Sequence, residues 1–243
     1  MSASNKPQPP LAASLAALPR DLAEAVHGMW HGSLGHTVRC VPTRRTVTCG
    51  QGSQRLFGKW RHGQRRQAAA EWHWLHVLPM LGLRVPSPVV WLGQGRQTLL
   101  VTAAVGGRAM DAWIVDAAMD GWLPQLADFA CRRIAPLVRR LHENGLVYRD
   151  LYWNHVFADD PRADGTIAFL DVERVLRPRW WWRRWVAKDL AGLLASSPVP
   201  VPTRVGLRFL RVCLGGGLRE HRSMIAAIAR KAGRIRQHVP RYG

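Results

Sequence analysis

Asp150 follows Arg149 in a short loop after a strongly periodic helical stretch, and Asp171 ends the apolar run Thr166 to Leu170, with a hairpin pattern between the two aspartates. One carboxylate to orient a hydroxyl and accept its proton, and a second to hold a divalent cation, are the core of phosphoryl transfer. That chemistry asks the protein mainly for positioning and charge stabilisation. Each aspartate alone is ordinary, a turn cap or a strand end; their joint occurrence in this order carries the reading. Upstream, Lys59 closes the run Arg55-Leu56-Phe57-Gly58 and Glu71 falls on the next helical stretch. From these places a lysine holds the α- and β-phosphates and a glutamate orients it. Arginine dominates the basic residues here, so a lone lysine at that point is informative.

These groups need elements to position them. Residues 1–10, rich in Pro, Ser and Asn, read as a disordered lead-in, and Leu11 to Met29 as a peripheral helix interrupted at Pro19. From Thr37 to Trp60 the pattern turns to short β-rich runs. Thr46 to Cys49 and Gln54 to Phe57 flank Gly50-Gln51-Gly52, which predicts a hairpin. Gln67 to Leu81 has helical spacing, with Gly82, Pro86 and Pro88 as stop signals, and Trp91 to Val101 returns to strand around Gly93-Gln94-Gly95. Ala103 to Gly107 reads as a hinge. Asp128 to Glu143 is the clearest helix, with Ala130, Ile134, Leu137, Val138 and Leu141 on one face and Asn144-Gly145 at its end. His155 to Ala158 and Thr166 to Leu170 form the hairpin between the aspartates. The expected fold class is α+β, an antiparallel sheet with one helix followed by a mainly helical part.

The 243 residues allow one core or two modest lobes, and 47% hydrophobic with 21% charged residues is close to the globular average. A net charge of +19 calls for a negative partner: nucleotide, anionic lipid, acidic protein or nucleic acid. Cys40, Cys49, Cys131 and Cys213 lack the spacing of a zinc site or a disulfide framework and read as reduced thiols. The N-terminal residues lack a secretion pattern and no apolar run approaches bilayer length, so a cytoplasmic location is expected, with peripheral contact at the inner membrane.

The stretch His142-Glu143-Asn144-Gly145-Leu146-Val147-Tyr148-Arg149-Asp150-Leu151-Tyr152-Trp153-Asn154-His155, together with Phe169-Leu170-Asp171 and Lys188-Asp189-Leu190-Ala191-Gly192-Leu193-Leu194, resembles the lipopolysaccharide core kinases that phosphorylate heptose or Kdo sugars. The resemblance runs from about Val38 to Ser196. It implies a bilobal protein-kinase-like fold, with residues 1–30 as an extension, 31–102 as the N-lobe and 103–243 as the C-lobe. It also implies ATP with Mg²⁺ in the cleft and transfer of the γ-phosphate to a sugar hydroxyl. Asp150 would be the base, Asp171 the main metal ligand, Lys59 the phosphate anchor and Glu71 its partner, with Arg149 in support. Tyr148 stands where protein kinases place a His before Arg-Asp. His155 stands five residues after Asp150 where they use Asn, with Asn154 one place earlier, so either approaches the second metal. No glycine-rich loop precedes Lys59, and arginines or backbone around Thr43-Arg44-Arg45-Thr46 would cover the phosphates instead.

Arg177 to Trp185 mixes four Trp with four Arg. Trp180, Trp181, Trp182, Arg183 and Arg184 suit a membrane interface or the acceptor's phosphates, against the plainer reading of core tryptophans and solvated arginines. Arg204 to Arg236 reads as amphipathic helices with a basic face, fit for a phosphorylated lipid or an acidic protein. The leading expectation is an anionic glycolipid acceptor. A small molecule or a protein hydroxyl is the alternative, and a basic nucleic-acid-binding protein the disfavoured non-enzyme reading.

Overall fold

A computed structural model describes residues 11–237, so the expected lead-in over residues 1–10 lies outside the described part. The described chain divides into two compact units, one running to Pro79 and including Val85–Val105, the other comprising Met80–Arg84 and the chain from Gly106 onward.

The first unit begins with α1 (Leu11–Ala16) and α2 (Arg20–His31), which Leu18-Pro19 separates. It continues with β1 (His36–Val41), β2 (Arg44–Cys49), β3 (Leu56–His62), α3 (Arg65–Met80), β4 (Pro88–Gln94) and β5 (Gln97–Ala103). The five strands form an antiparallel sheet in the order β1-β2-β3-β5-β4. The expected hairpin joins β2 to β3, but Gly52–Gln54 is a 3₁₀ turn, and the second strand starts at Leu56 and runs on through Lys59 to His62. The later hairpin turns at Gly95-Arg96 rather than Gly93, because Gln94 pairs with Gln97.

The expectation of a peripheral helix before residue 30 is corrected. Val26, Met29 and Trp30 are buried against Val47, Leu56, Val90, Leu92, Leu99 and Val101, so α2 closes one face of the sheet. Its i, i+3, i+4 spacing is what an apolar helix stripe needs. Gly58 makes that contact possible, since a Cβ there would stand 2.7 Å from Met29 Cε. Trp30 also stacks on Trp60, ring centroids 4.8 Å apart.

The second unit carries β6 (Arg108–Ala109), α4 (Met110–Met119), α5 (Leu123–Phe129), α6 (Ala135–Glu143), β7 (Val156–Ala158), β8 (Ile167–Phe169), α7 (Trp182–Ala195), α8 (Thr203–Leu214) and α9 (Arg222–Gln237). The helix expected from Asp128 to Glu143 starts earlier and is not uniform. Ala130–Ile134 forms a π-helical turn between α5 and α6, with the Ala135 N–H donating to the Ala130 carbonyl. Pro136 offers no N–H to the regular ladder, which accounts for the irregularity there. Leu126, Phe129, Ile134, Val138 and Leu141 still form one buried face. β6, β7 and β8 make a three-stranded antiparallel sheet that includes the predicted hairpin. The four cysteines are free, with Cys131 and Cys213 buried.

Candidate active site

In the first unit the chemistry gathers on β3. Strand alternation sends Lys59 and Arg61 to the same face, and both meet Glu71 of α3. Lys59 Nζ donates to Glu71 Oε1 at 2.6 Å, and Arg61 Nη2 donates to Oε2. Glu71 and Arg61 are both buried. A carboxylate shared by two cations in a low-dielectric interior is fixed in position, and it fixes the lysine in turn. The Lys59–Glu71 pair was expected from the sequence. Arg61 was not, and its signal was the i+2 position on a strand already assigned. The turn expected to cover phosphates is a tight Pro42-Thr43 connection, with the Val41–Arg44 pair as its base. It is tied to the end of β3 by the His62 N–H donating to the Thr43 carbonyl.

In the second unit the loop after α6 is held from beneath by α7. Asp189, 1% exposed, accepts from the backbone N–H groups of Tyr148 at 2.6 Å and Arg149 at 2.7 Å, and its Oδ2 lies 3.2 Å from His142 Nε2. α7 approaches this closely because Gly192 has no side chain: a Cβ there would stand 2.6 Å from the Leu151 carbonyl. Arg149 takes a left-handed backbone conformation, φ 72°, immediately before Asp150. The Arg149 guanidinium stacks over the Trp185 ring at 5.3 Å.

Two further bonds tie this loop to Asp171. The Tyr148 hydroxyl donates to the Leu170 carbonyl, and the Leu170 N–H donates to the His155 carbonyl at 2.8 Å. Tyr148 therefore links the residue pair Arg149-Asp150 to the backbone just ahead of Asp171. His155 Nδ1 lies 2.9 Å from the Asp150 carbonyl. A carbonyl only accepts, so in the neutral ring Nδ1 carries the proton and Nε2 keeps its lone pair. That lone-pair nitrogen stands 4.0 Å from Asp171 Oδ2. Asp171 is itself left-handed, φ 62°, and its carboxylate lies within 4.8 Å of that of Glu173. His155 is thus brought beside Asp171, while Asn154, the other side chain expected near the second metal, is exposed.

Asp150 is met by a residue that the sequence reading did not single out. Arg174 Nη1 lies 3.0 Å from each of its carboxylate oxygens. Lys188 completes a cationic surround: burial, then the charges of Arg149 and Arg174, hold its ammonium below its ordinary pKa, with Asp150 and Asp189 opposing. Burial and then the Asp150 charge push the Tyr152 hydroxyl up. The aromatic segment splits. Trp180 and Trp181 are each 73% exposed, as are Arg183 and Arg184 to a large degree. Trp182 sits half-buried, edge-on to His142, and Trp185 lies under Arg149.

The family model of the lipopolysaccharide kinase (Kdo/WaaP) family matches residues 38–211. The lipopolysaccharide core heptose(I) kinase WaaP of Escherichia coli K12 is 25% identical over 92% of this chain and 99% of that protein. A second Escherichia coli WaaP is 23% identical over 91% and 98%. Among solved structures, WaaP in complex with acyl carrier protein aligns with TM-score 0.71 at 24% identity, covering 85% of this chain and 91% of that one. An aminoglycoside-3′-phosphotransferase of type VIII aligns with TM-score 0.56 at 20% identity, covering 87% and 99%. The folds of these two agree with the antiparallel sheet and the mainly helical unit described above. The chain belongs to the lipopolysaccharide kinase (Kdo/WaaP) family, phosphotransferases of the protein-kinase-like fold with an alcohol group as acceptor.

Proposed function

We propose that this chain transfers the γ-phosphate of ATP to a heptose hydroxyl of the lipopolysaccharide inner core, with the first unit serving as the N-lobe and the second as the C-lobe. The observation that carries the reading is the hydrogen-bonded frame around Asp150. Asp189 fixes the loop, and Tyr148 and His155 tie it to the chain at Asp171. The full-length similarity to heptose(I) kinases favours heptose over Kdo as the sugar.

In this reading Asp150 orients the acceptor hydroxyl and takes its proton as the new oxygen–phosphorus bond forms. The bond between the γ-phosphorus and its bridging oxygen breaks, and ADP leaves. Lys59, held by Glu71, neutralises the α- and β-phosphates. Arg174 and Arg149 keep the Asp150 region positive, which suits an anionic acceptor. Mg²⁺ supplies charge neutralisation on the phosphates when bound. Asp171 and Glu173 would hold Mg²⁺ through carboxylate oxygens, the donors a hard cation takes, and His155 Nε2, 4.0 Å from Asp171 Oδ2, would meet it through a bound water.

The +19 charge suits an acidic protein partner as well as a glycolipid, and the WaaP structure noted above was solved with acyl carrier protein bound. Among the described residues no helix is long and apolar enough to cross a membrane. We place the enzyme on the cytoplasmic side, where ATP is available.

The test is transfer of labelled phosphate from ATP with Mg²⁺ to purified deep-core lipopolysaccharide, comparing wild type with Asp150→Asn. Labelling by the wild type alone is the expected result. Equal labelling by both removes Asp150 from the base role; labelling by neither, with ATP still bound, removes the inner-core acceptor.

A further inference from the structure

The entry to α7 is built against the ordinary rules of helix stability. Its N-cap is Trp181 rather than Ser, Thr, Asp or Asn, and no side chain caps the helix. Its first turn has no acidic residue and carries Arg183 and Arg184, where the helix dipole is positive and disfavours them. Trp181 adopts φ 62°, a left-handed conformation that a bulky side chain rarely takes. The Arg184 and Trp185 N–H groups both donate to its carbonyl, so the backbone that carries the ring is fixed. The result is two adjacent indoles, Trp180 and Trp181, each 73% exposed. An exposed pair of the largest apolar side chains is unusual for a soluble surface.

The charges around that pair are equally distinctive. Elsewhere many surface arginines meet carboxylates: Arg132 and Arg208 on Asp128, Arg139 on Glu143, Arg108 on Asp116, Arg174 on Asp150. Among the described residues Arg177, Arg179, Arg183 and Arg184 make no ion pair. No acidic residue occurs between Arg174 and Asp189. α9 packs on α7 and adds to the same field, since Arg184 and Arg234 both act electrostatically on Lys231.

We infer that Trp180 and Trp181, flanked in the chain by the exposed Arg179, Arg183 and Arg184, form a docking face for an anionic lipid bilayer. Indoles settle at the level of the headgroups, and guanidinium groups without a carboxylate partner can meet lipid phosphates. Trp182 and Trp185 are excluded from the face, because they are committed to His142 and to Arg149 and Lys188 inside the unit. The inference deepens the proposed function by giving a glycolipid kinase its route to a membrane-borne acceptor, yet the contact itself can be measured without ATP or acceptor.

The experiment is vesicle flotation of the full chain, with phosphatidylcholine alone and with phosphatidylglycerol added. Wild type is expected to float with the anionic vesicles only, and added salt to release it. Trp180→Ala with Trp181→Ala should lower partitioning ten-fold or more. Arg183→Ala with Arg184→Ala should lower it about thirty-fold. Unchanged nucleotide affinity and thermal unfolding in both double variants establish that the fold is intact. Wild-type protein that stays in solution, or variants that float as well as wild type, overturns the inference. So does loss of binding to an acidic polypeptide by the variants while vesicle binding persists, which would make this a protein-binding face. Lipid binding that survives while inner-core labelling fails leaves this inference standing and removes only the heptose reading.

Discussion

Arg174 Nη1 sits 3.0 Å from both oxygens of the Asp150 carboxylate, a single nitrogen bridging the whole acceptor group. The arginine side chain is 43% exposed and that of the aspartate 17%. A pair that open contributes about 1 kcal/mol or less to stability, so its consequence is for orientation. Arg174 fixes the orientation of the carboxylate, and in the proposed reaction an incoming hydroxyl would use the lone pairs that Arg174 leaves. Arg174→Ala is therefore expected to leave thermal unfolding almost unchanged while lowering kcat by about ten- to a hundred-fold, a cost of about 1.4–2.7 kcal/mol in the barrier. Arg174→Lys should recover part of it, since a point charge keeps the sign but not the guanidinium geometry. A variant with full kcat would show that the bridge has no part in the reaction.

Glu71 makes the opposite prediction, a large effect on stability. Its two oxygens serve Lys59 and the fully buried Arg61. Glu71→Ala takes the carboxylate from a buried guanidinium, a change expected to cost about 3–5 kcal/mol in urea unfolding. Lys59→Met leaves Arg61 and Glu71 paired, so it should lose nucleotide binding with a much smaller loss of stability. Equal destabilisation by the two substitutions would mean that Arg61 does not depend on Glu71.

The four groups read directly from the sequence, Lys59, Glu71, Asp150 and Asp171, were legible because each sits at a fixed offset from an element with its own local signal. Lys59 ends a β-rich run, Asp150 follows a periodic helix, and Asp171 closes an apolar strand. Arg174 and Asp189 had no such signal. Their partners lie 24 and about 40 residues away in the chain, and no period announces a contact of that kind. Arg61 was hidden by the abundance of arginine, although the alternation of β3 placed it on the same face as Lys59. For α2 the apolar spacing of Val26, Met29 and Trp30 was visible, but which surface would cover it was not. The glycine that admits Met29, Gly58, gives no cue until the packing is known. β1 is exposed along its whole length and so lacks the alternation by which strands are recognised.

Asp189 supports a third prediction. It satisfies two backbone N–H groups of the Tyr148-Arg149 turn and faces His142. Asp189→Ala removes the acceptor of the buried Tyr148 N–H and of the part-buried Arg149 N–H, a loss expected to cost about 1–3 kcal/mol at the buried one and less at the other. The same change frees a turn in which Arg149 is left-handed. Faster amide exchange at Tyr148 and Arg149, together with a loss of kcat greater than the rise in KM, is the expected pattern. Asp189→Asn keeps one acceptor oxygen and should fall between wild type and alanine. Unchanged exchange at these two amides would show that the loop is held by other contacts.

Lys188 carries a prediction with a definite sign in pH. Burial, then Arg149 and Arg174, lower its pKa below the ordinary 10.5. Between the lowered value and 10.5 the unfolded chain binds a proton that the folded chain does not. Stability from this group therefore rises as pH increases through that window, and is at its lowest below it, where both states carry the charge. Tyr152 acts in the reverse sense, because its raised pKa makes the folded chain keep a proton that the unfolded chain loses above 10.0. A comparison with Lys188→Met separates the two, since the tyrosine is common to both proteins. In urea unfolding at stepwise alkaline pH, the wild type should gain stability relative to the methionine variant until the window closes. A difference that stays flat, or runs the other way, would mean that Asp150 and Asp189 outweigh burial at Lys188.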